Sequence, residues 1–282
     1  MQTEGEEIQT ALPEFAPRRI ASLQPSLTLT IAQLGALDRL VACTRYCADI
    51  VPELRSSTTA IVRDSWSADC SEILATQPDL VVASIPYRLE SLAEIMKAGI
   101  SVAAFAPHSL SDIYRDTQYL SGLLHVPNIG AELIHRMQSE IAAVGTRAGE
   151  ATTRPRVYCE EWGKPLIHSS PWVSELVALA GGDFVGVPGR QTTAEAAAAL
   201  APDIILVAWC GAGDRVPLER LIAQRGWADL PAVRSSRVFC INDELLNTPA
   251  YTLVGGLRAI ACAIHPEIFG DTAPGLRRIR SR

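Results

Sequence analysis

Short, unbroken apolar runs recur along this chain, each closed by a turn residue and followed by a stretch of helical spacing. In the first part, Arg19-Ile-Ala-Ser-Leu23, Val41-Ala-Cys-Thr44, Thr59-Ala-Ile-Val62, Leu80-Val-Val-Ala-Ser84 and Ile100 to Ala106 read as strands. In the last part, Arg156-Val-Tyr-Cys159, Ile204-Ile-Leu-Val-Ala208 and Arg237-Val-Phe-Cys-Ile241 do the same. The runs do not alternate apolar with polar residues, so both faces of each strand are expected to be covered, as in a parallel sheet between helices. The intervening helices are expected from Ser26, which can cap one, to Leu34 before Gly35, then over Ser71 to Thr76 and Arg88 to Ala98. Later ones are expected over Trp172 to Ala180, Ala194 to Leu200, Pro217 to Arg225 and Leu253 to Ile264.

The middle of the chain breaks this rhythm. From Ser109 to about Gly149 there is no strand candidate, while Ile113, Leu120, Leu124, Leu133, Met137 and Ile141 recur at helical spacing. One long helix is predicted there, which Pro127 would kink or split. The flanking parts echo each other. Ala75-Thr-Gln-Pro-Asp-Leu-Val-Val-Ala83 matches Ala199-Leu-Ala-Pro-Asp-Ile-Ile-Leu-Val207, and Arg18-Arg-Ile-Ala matches Arg154-Pro-Arg-Val. The expectation is an α/β chain of two Rossmann-like three-layer lobes with parallel sheets, joined by a long backbone helix. The predicted divisions are a loose tail over 1–17, an N-terminal lobe over 18–108, the linking helix over 109–150, a C-terminal lobe over 151–270 and a frayed end over 271–282.

Composition narrows the function. The 282 residues are 48% hydrophobic and 20% charged, an ordinary globular balance. A formal net charge of −6 argues against a nucleic-acid binder, which needs clustered Lys and Arg. No apolar run is long enough to span a bilayer. The acidic start carries no secretory signal, so the cytoplasm is the expected compartment as the sequence stands, or the periplasm if a leader is missing. Seven scattered cysteines, an odd number partly inside apolar runs, read as reduced and buried.

Ligands of open parallel sheets bind at the carboxyl ends of the strands. Aromatic residues gather there: Tyr46, Trp66, Tyr87, Trp162 and Trp209, in a chain only 6% aromatic. They would line a cleft between the lobes suited to a large, flat, semi-apolar ligand, and Asp243 and Glu244 follow the last strand. Catalytic signatures are poor: there is no nucleophile elbow, P-loop, His-Glu-x-x-His or Cys-x-x-Cys. Glu160, Glu161 and His168 remain the residues a metal-dependent enzyme would use, and Gly211-Ala-Gly213 reads as a flexible loop.

Arg19-Ile-Ala-Ser-Leu-Gln-Pro-Ser, Leu34-Gly-Ala-Leu-Asp-Arg-Leu-Val, Ser65-Trp66 and Glu72-Ile-Leu-Ala-Thr-Gln-Pro-Asp-Leu-Val-Val occur in an order that resembles the substrate-binding proteins of iron-siderophore, haem and vitamin B12 ABC importers. Arg156-Val-Tyr-Cys-Glu-Glu-Trp-Gly-Lys-Pro-Leu and Pro171-Trp-Val-Ser-Glu-Leu-Val-Ala-Leu-Ala-Gly-Gly look closest to the cobalamin-binding branch. The resemblance implies two lobes on a helical hinge and no catalysis. It implies cobalamin or a related corrinoid as ligand, with haem or a ferric siderophore as the alternative and no cofactor required. Tyr46 and Trp66 match corrin-contacting aromatics, Trp162 matches an aromatic after the first strand of the second lobe, and Asp243 and Glu244 fall in a ligand-reaching loop. Glu72, whose spacing to Pro78 needs a one-residue gap, and Glu195 match the glutamates that dock on an ABC permease. His168 is the candidate contact to cobalt, and a monomer is expected. A cytoplasmic module that senses a corrinoid is the third possibility.

Overall fold

The computed structural model describes residues 14–64, 69–84 and 89–280. The chain forms two compact units. One comprises the residues up to Phe105 together with Thr117–Glu132, the other Ala106–Asp116 together with Leu133–Arg282.

In the first unit the order is β1 (Ile20–Ser22), α1 (Pro25–Gln33), β2 (Leu40–Thr44), α2 (Arg45–Ile50), β3 (Ala60–Val62), α3 (Cys70–Ala75), β4 (Leu80–Ser84), α4 (Leu89–Lys97) and β5 (Ser101–Phe105). The five strands form one sheet in the order β3-β2-β1-β4-β5, parallel throughout. Every residue of β1 and β4 is buried, which is why their sequences are unbroken apolar runs. Leu23, Ile73, Val81 and Ile95 pack together on one face of the sheet.

The linking segment is two helices, α5 (Leu110–Leu123) and α6 (Pro127–Ala148). Of the two outcomes open to Pro127, the chain takes the split. His125 adopts a left-handed φ of 58°, the Val126 amide folds back to the Ser121 carbonyl at 2.9 Å, and Pro127, with no amide to satisfy, begins α6. A Cβ at Gly130 would stand 2.1 Å from Ser121 Oγ, so only glycine permits this close crossing of α6 on α5. Leu110, Ile113, Met137, Ile141 and Val144 join the main core of the second unit.

The second unit runs β6 (Arg156–Gly163), β7 (Leu166–His168), α7 (Pro171–Leu179), β8 (Asp183–Phe184), β9 (Gln191–Thr192), α8 (Ala194–Ala199), β10 (Ile204–Val207), α9 (Leu218–Arg225), α10 (Pro231–Arg234), β11 (Val238–Ile241), α11 (Glu244–Asn247), α12 (Leu253–Ile264), α13 (Pro266–Phe269) and β12 (Leu276–Arg278). Its sheet is mixed rather than parallel. β8, β6, β10 and β11 are parallel and repeat the β2-β1-β4-β5 order of the first unit, while β7, β9 and β12 pair antiparallel. Residues 276–278, inside the segment expected to fray, form a strand. β12 extends the sheet beside β11, with Arg277 Nε on the Asp214 carbonyl and Arg278 Nε on the Ser236 carbonyl. At the other end, Ala16 of the predicted tail is buried, and residues 1–13 lie outside the described residues.

The Pro-Asp echo has a structural basis. The Asp79 carboxylate accepts the Arg18 and Arg19 amides at 2.8 and 3.1 Å, and Asp203 accepts the Arg156 amide at 2.8 Å. The arginines answer it: Arg19 donates to the Gln77 and Thr76 carbonyls, and Arg156 to that of Leu200. Each cluster ties the start of a central strand to the helix end before its neighbour. Gln77 and Ala201, each preceding a proline, take left-handed φ values of 51° and 44°, a position from which an α-helix cannot continue. Asp79→Ala is expected to cost about 1 kcal/mol in a urea titration; an unchanged midpoint would show that the staple is decorative.

Candidate functional site

At the carboxyl edge of the first unit's sheet, the Thr44 side chain caps α2 by accepting the Cys47 amide. That cap sets Arg45 and Tyr46 in the helix's first turn, just past β2. Tyr46 is 38% exposed; the Arg45 guanidinium carbon lies 4.6 Å from its ring centre, and an Arg45 terminal nitrogen donates to its hydroxyl at 2.6 Å. Asp64 stands 3.7 Å from the same guanidinium. Trp66 and Tyr87, both expected at this edge, lie outside the described residues. Glu72, in the first turn of α3, is paired with Arg63 at 2.9 Å and accepts the Arg63 amide. Glu195 is exposed in the first turn of α8; its own amide and the Thr193 hydroxyl hold its carboxyl below the usual glutamate range.

In the second unit, β6 outruns its parallel neighbour. Its ladder with β10 ends at Glu160, beyond which the strand bulges and turns into an antiparallel hairpin with β7. Sequence reading missed this hairpin. Trp162 stands on it, 43% exposed, with its indole N–H on the Lys164 carbonyl at 2.8 Å. Trp209, predicted to share the ligand wall, is half-buried and committed inward. Its indole N–H donates to Glu160 Oε1 at 2.7 Å, and its ring lies against Gly163, where a Cβ would meet it at 2.5 Å.

Glu160 is fully buried and receives four donors: both Arg225 terminal nitrogens at 2.8 Å, the Tyr158 hydroxyl at 2.7 Å and Trp209. The Arg225 guanidinium also lies over the Trp227 ring at 4.8 Å. Tyr158, Arg225 and Trp227 had no place in the predicted site. Arg225 reads locally as an ordinary last-turn cation, and its partner is 65 residues away.

His168 is corrected as a cobalt contact. It is 3% exposed, flanked edge-on by Tyr158 and Phe184, and a Cβ on Gly186 would come within 2.3 Å of its ring. A ring so enclosed does not reach a ligand outside the fold, and burial lowers its pKa. Nor do Glu160, Glu161 and His168 converge, as the enzyme alternative required: Glu160 faces Arg225, while Glu161 accepts the Ser170 amide and hydroxyl at 2.8 and 2.7 Å. Among the described residues no group of three or more His, Cys, Asp or Glu is placed to hold a metal ion.

Gly211-Ala-Gly213 is a built loop. Its glycines take left-handed φ values of 76° and 59°, and both amides donate to the Asp243 carboxylate at 2.7 Å. Asp243 thus shapes the loop after β10, and the neighbouring Glu244 is exposed.

Glu161 offers a pH test. Burial raises its carboxyl above the ordinary value of 4.5, against the opposing pull of the two Ser170 donors. The folded chain therefore holds this proton more tightly than the unfolded chain. The associated stability is full below the unfolded value and is lost as pH rises through the raised one. Glu161→Gln keeps an oxygen for both Ser170 donors and cannot ionise. It is expected to gain stability relative to the parent as pH rises from about 4 to 7. Parallel urea-midpoint curves for the two proteins would refute the assignment.

These features sit on a fold that comparison identifies. The family model described as "Periplasmic binding protein" matches residues 20–245. The chain belongs to this family, one of solute binders and not of enzymes. An uncharacterized ABC transporter substrate-binding lipoprotein of Bacillus subtilis is 23% identical over 269 residues, covering 90% of this chain and 82% of the relative. A cobalamin-binding protein of Halobacterium salinarum is 22% identical over 273 residues, covering 93% and 74%. Among solved structures, a periplasmic heme binding protein from Pseudomonas aeruginosa superposes with a TM-score of 0.83 at 20% identity, covering 94% of this chain and 99% of that one. Among the described residues, no helix is long and apolar enough to cross a membrane.

Proposed function

We propose that this chain binds cobalamin or a related corrinoid, without catalysis, as the solute-binding component of an ABC importer. One observation carries the reading: each unit presents an exposed aromatic ring at the carboxyl edge of its parallel strands, Tyr46 in the first and Trp162 in the second. Ligands of such sheets bind at these strand ends, and flat ring faces suit the apolar surface of a macrocycle. The cobalamin-binding relative supports the choice of solute. Glu72 and Glu195 are the proposed permease contacts; each lies in the first turn of a short helix.

Haem is the second reading, and Arg45 favours it. A guanidinium with 67% of its side chain exposed, beside an exposed tyrosine, is placed to meet haem carboxylates. Equilibrium dialysis of the parent and Arg45→Gln proteins separates the two. On the corrinoid reading the chain retains cyanocobalamin, and the substitution changes that by less than about twofold. Retention of hemin alone, weakened about tenfold or more by Arg45→Gln, would replace the corrinoid with haem.

A further inference from the structure

The buried Glu160 cluster has no part in solute binding as proposed above, yet it lies one residue away from it in space. Trp209 connects the two. Its N–H is held by Glu160, and its six-membered ring is pressed on Gly163, with Cζ2, Cε2 and Cη2 at 2.5, 2.7 and 3.0 Å from the position of a Cβ there. Gly163 directly follows Trp162, and Trp162 in turn donates to Lys164 across it. Arg225, with a side chain only 10% exposed, fixes the carboxylate by two parallel bonds and stacks on Trp227, whose N–H is tied to the Ala194 carbonyl at 3.0 Å. A paired buried charge is a weak stabiliser compared with apolar side chains of similar volume, so its presence needs a reason beyond stability. A fully satisfied polar cluster is rigid, and rigidity is what an exposed hairpin lacks.

We propose that the Glu160–Arg225 pair is a positioning device for Trp162, acting through Trp209 and Gly163 to hold the exposed indole ready for the flat face of the solute. Glu160, Arg225 and Trp209 are positioning residues that do not touch the solute. The inference rests on the reading of Trp162 as a solute contact. The device lowers the ordering cost of binding, because Trp162 is held in place before the solute arrives.

The test uses the full chain labelled with 5-fluorotryptophan, its resonances assigned by single Trp→Phe substitutions, and cyanocobalamin and hemin as probes. Gly163→Ala drives a methyl into the Trp209 ring without touching the buried charges. It is expected to shift the fluorine resonances of both Trp209 and Trp162 and to weaken binding about tenfold. In a Trp162→Ala background the same substitution is expected to change affinity by less than twofold. A second variant, Glu160→Met with Arg225→Met, removes the pair without stranding either charge and is expected to shift the same two resonances. A Trp162 resonance that stays in place while that of Trp209 moves overturns the proposal. So does an affinity loss of equal size in the Trp162→Ala background. If Trp162→Ala alone leaves both probes bound as before, the reading of the solute contact fails, and the fluorine shifts by themselves decide the positioning claim.

Discussion

Replacing Glu160 with alanine is expected to lower the free energy of unfolding by about 3–5 kcal/mol, a large share of the roughly 5–15 kcal/mol that holds a typical protein folded. The size follows from what is left behind. The carboxylate is fully buried and receives Arg225 twice, Tyr158 and Trp209. Its removal strands a guanidinium that is 10% exposed together with a buried hydroxyl and an indole N–H. Each unpaired group costs its own desolvation, and the charge costs most. Glu160→Met combined with Arg225→Met is expected to cost less than Glu160→Ala alone, because no charge is left uncompensated. Urea titrations of the three proteins check both statements. A loss below about 1 kcal/mol for Glu160→Ala would mean that water reaches Arg225.

The second large effect concerns binding. Trp162→Ala is expected to weaken the affinity for cyanocobalamin by about 10- to 100-fold, roughly 1.4–2.8 kcal/mol. Trp162 is exposed, makes one side-chain hydrogen bond to the chain next to it, and lies outside the hydrophobic cores. The substitution should therefore leave the urea midpoint within about 0.5 kcal/mol of the parent. This separation of affinity from stability distinguishes a solute contact from a packing residue. Trp162→Phe should recover most of the affinity, since the flat face remains. Comparable binding by all three proteins in fluorescence titrations would remove Trp162 from the site.

What could be read in the sequence was what local chemistry writes there. Fully buried parallel strands leave unbroken apolar runs, and the helix end, proline and aspartate at Pro78-Asp79 and Pro202-Asp203 recur because both units tie their central strands the same way. Tyr46 stands just past β2, and Trp162 lies within β6 just beyond its parallel ladder, because both follow directly on apolar runs. The remainder depends on long-range pairing. Trp209 looks like Trp162 in the sequence, each following an apolar strand. One is turned inward only because Glu160, 49 residues away, accepts its N–H. His168 and Glu160 resemble ligands or catalysts until Tyr158, Phe184 and Arg225 are seen to close around them. β7 and β12 are too short to carry a periodic signal. β12 is also rich in arginine, whose long stems cover the sheet edge while their heads reach carbonyls. Pro127 marks the break in the linking helix, but the left-handed turn at His125 that makes it a split carries no signal of its own in the sequence.

The central claim, that this member of the periplasmic binding protein family takes a corrinoid, is tested most directly by calorimetric titration of the purified chain with cyanocobalamin and, in parallel, with hemin. The expected result is saturable binding of one cyanocobalamin per chain with a dissociation constant of about a micromolar or tighter, reduced in the Trp162→Ala protein. Binding of hemin with no heat from cyanocobalamin, or no heat from either, would contradict it.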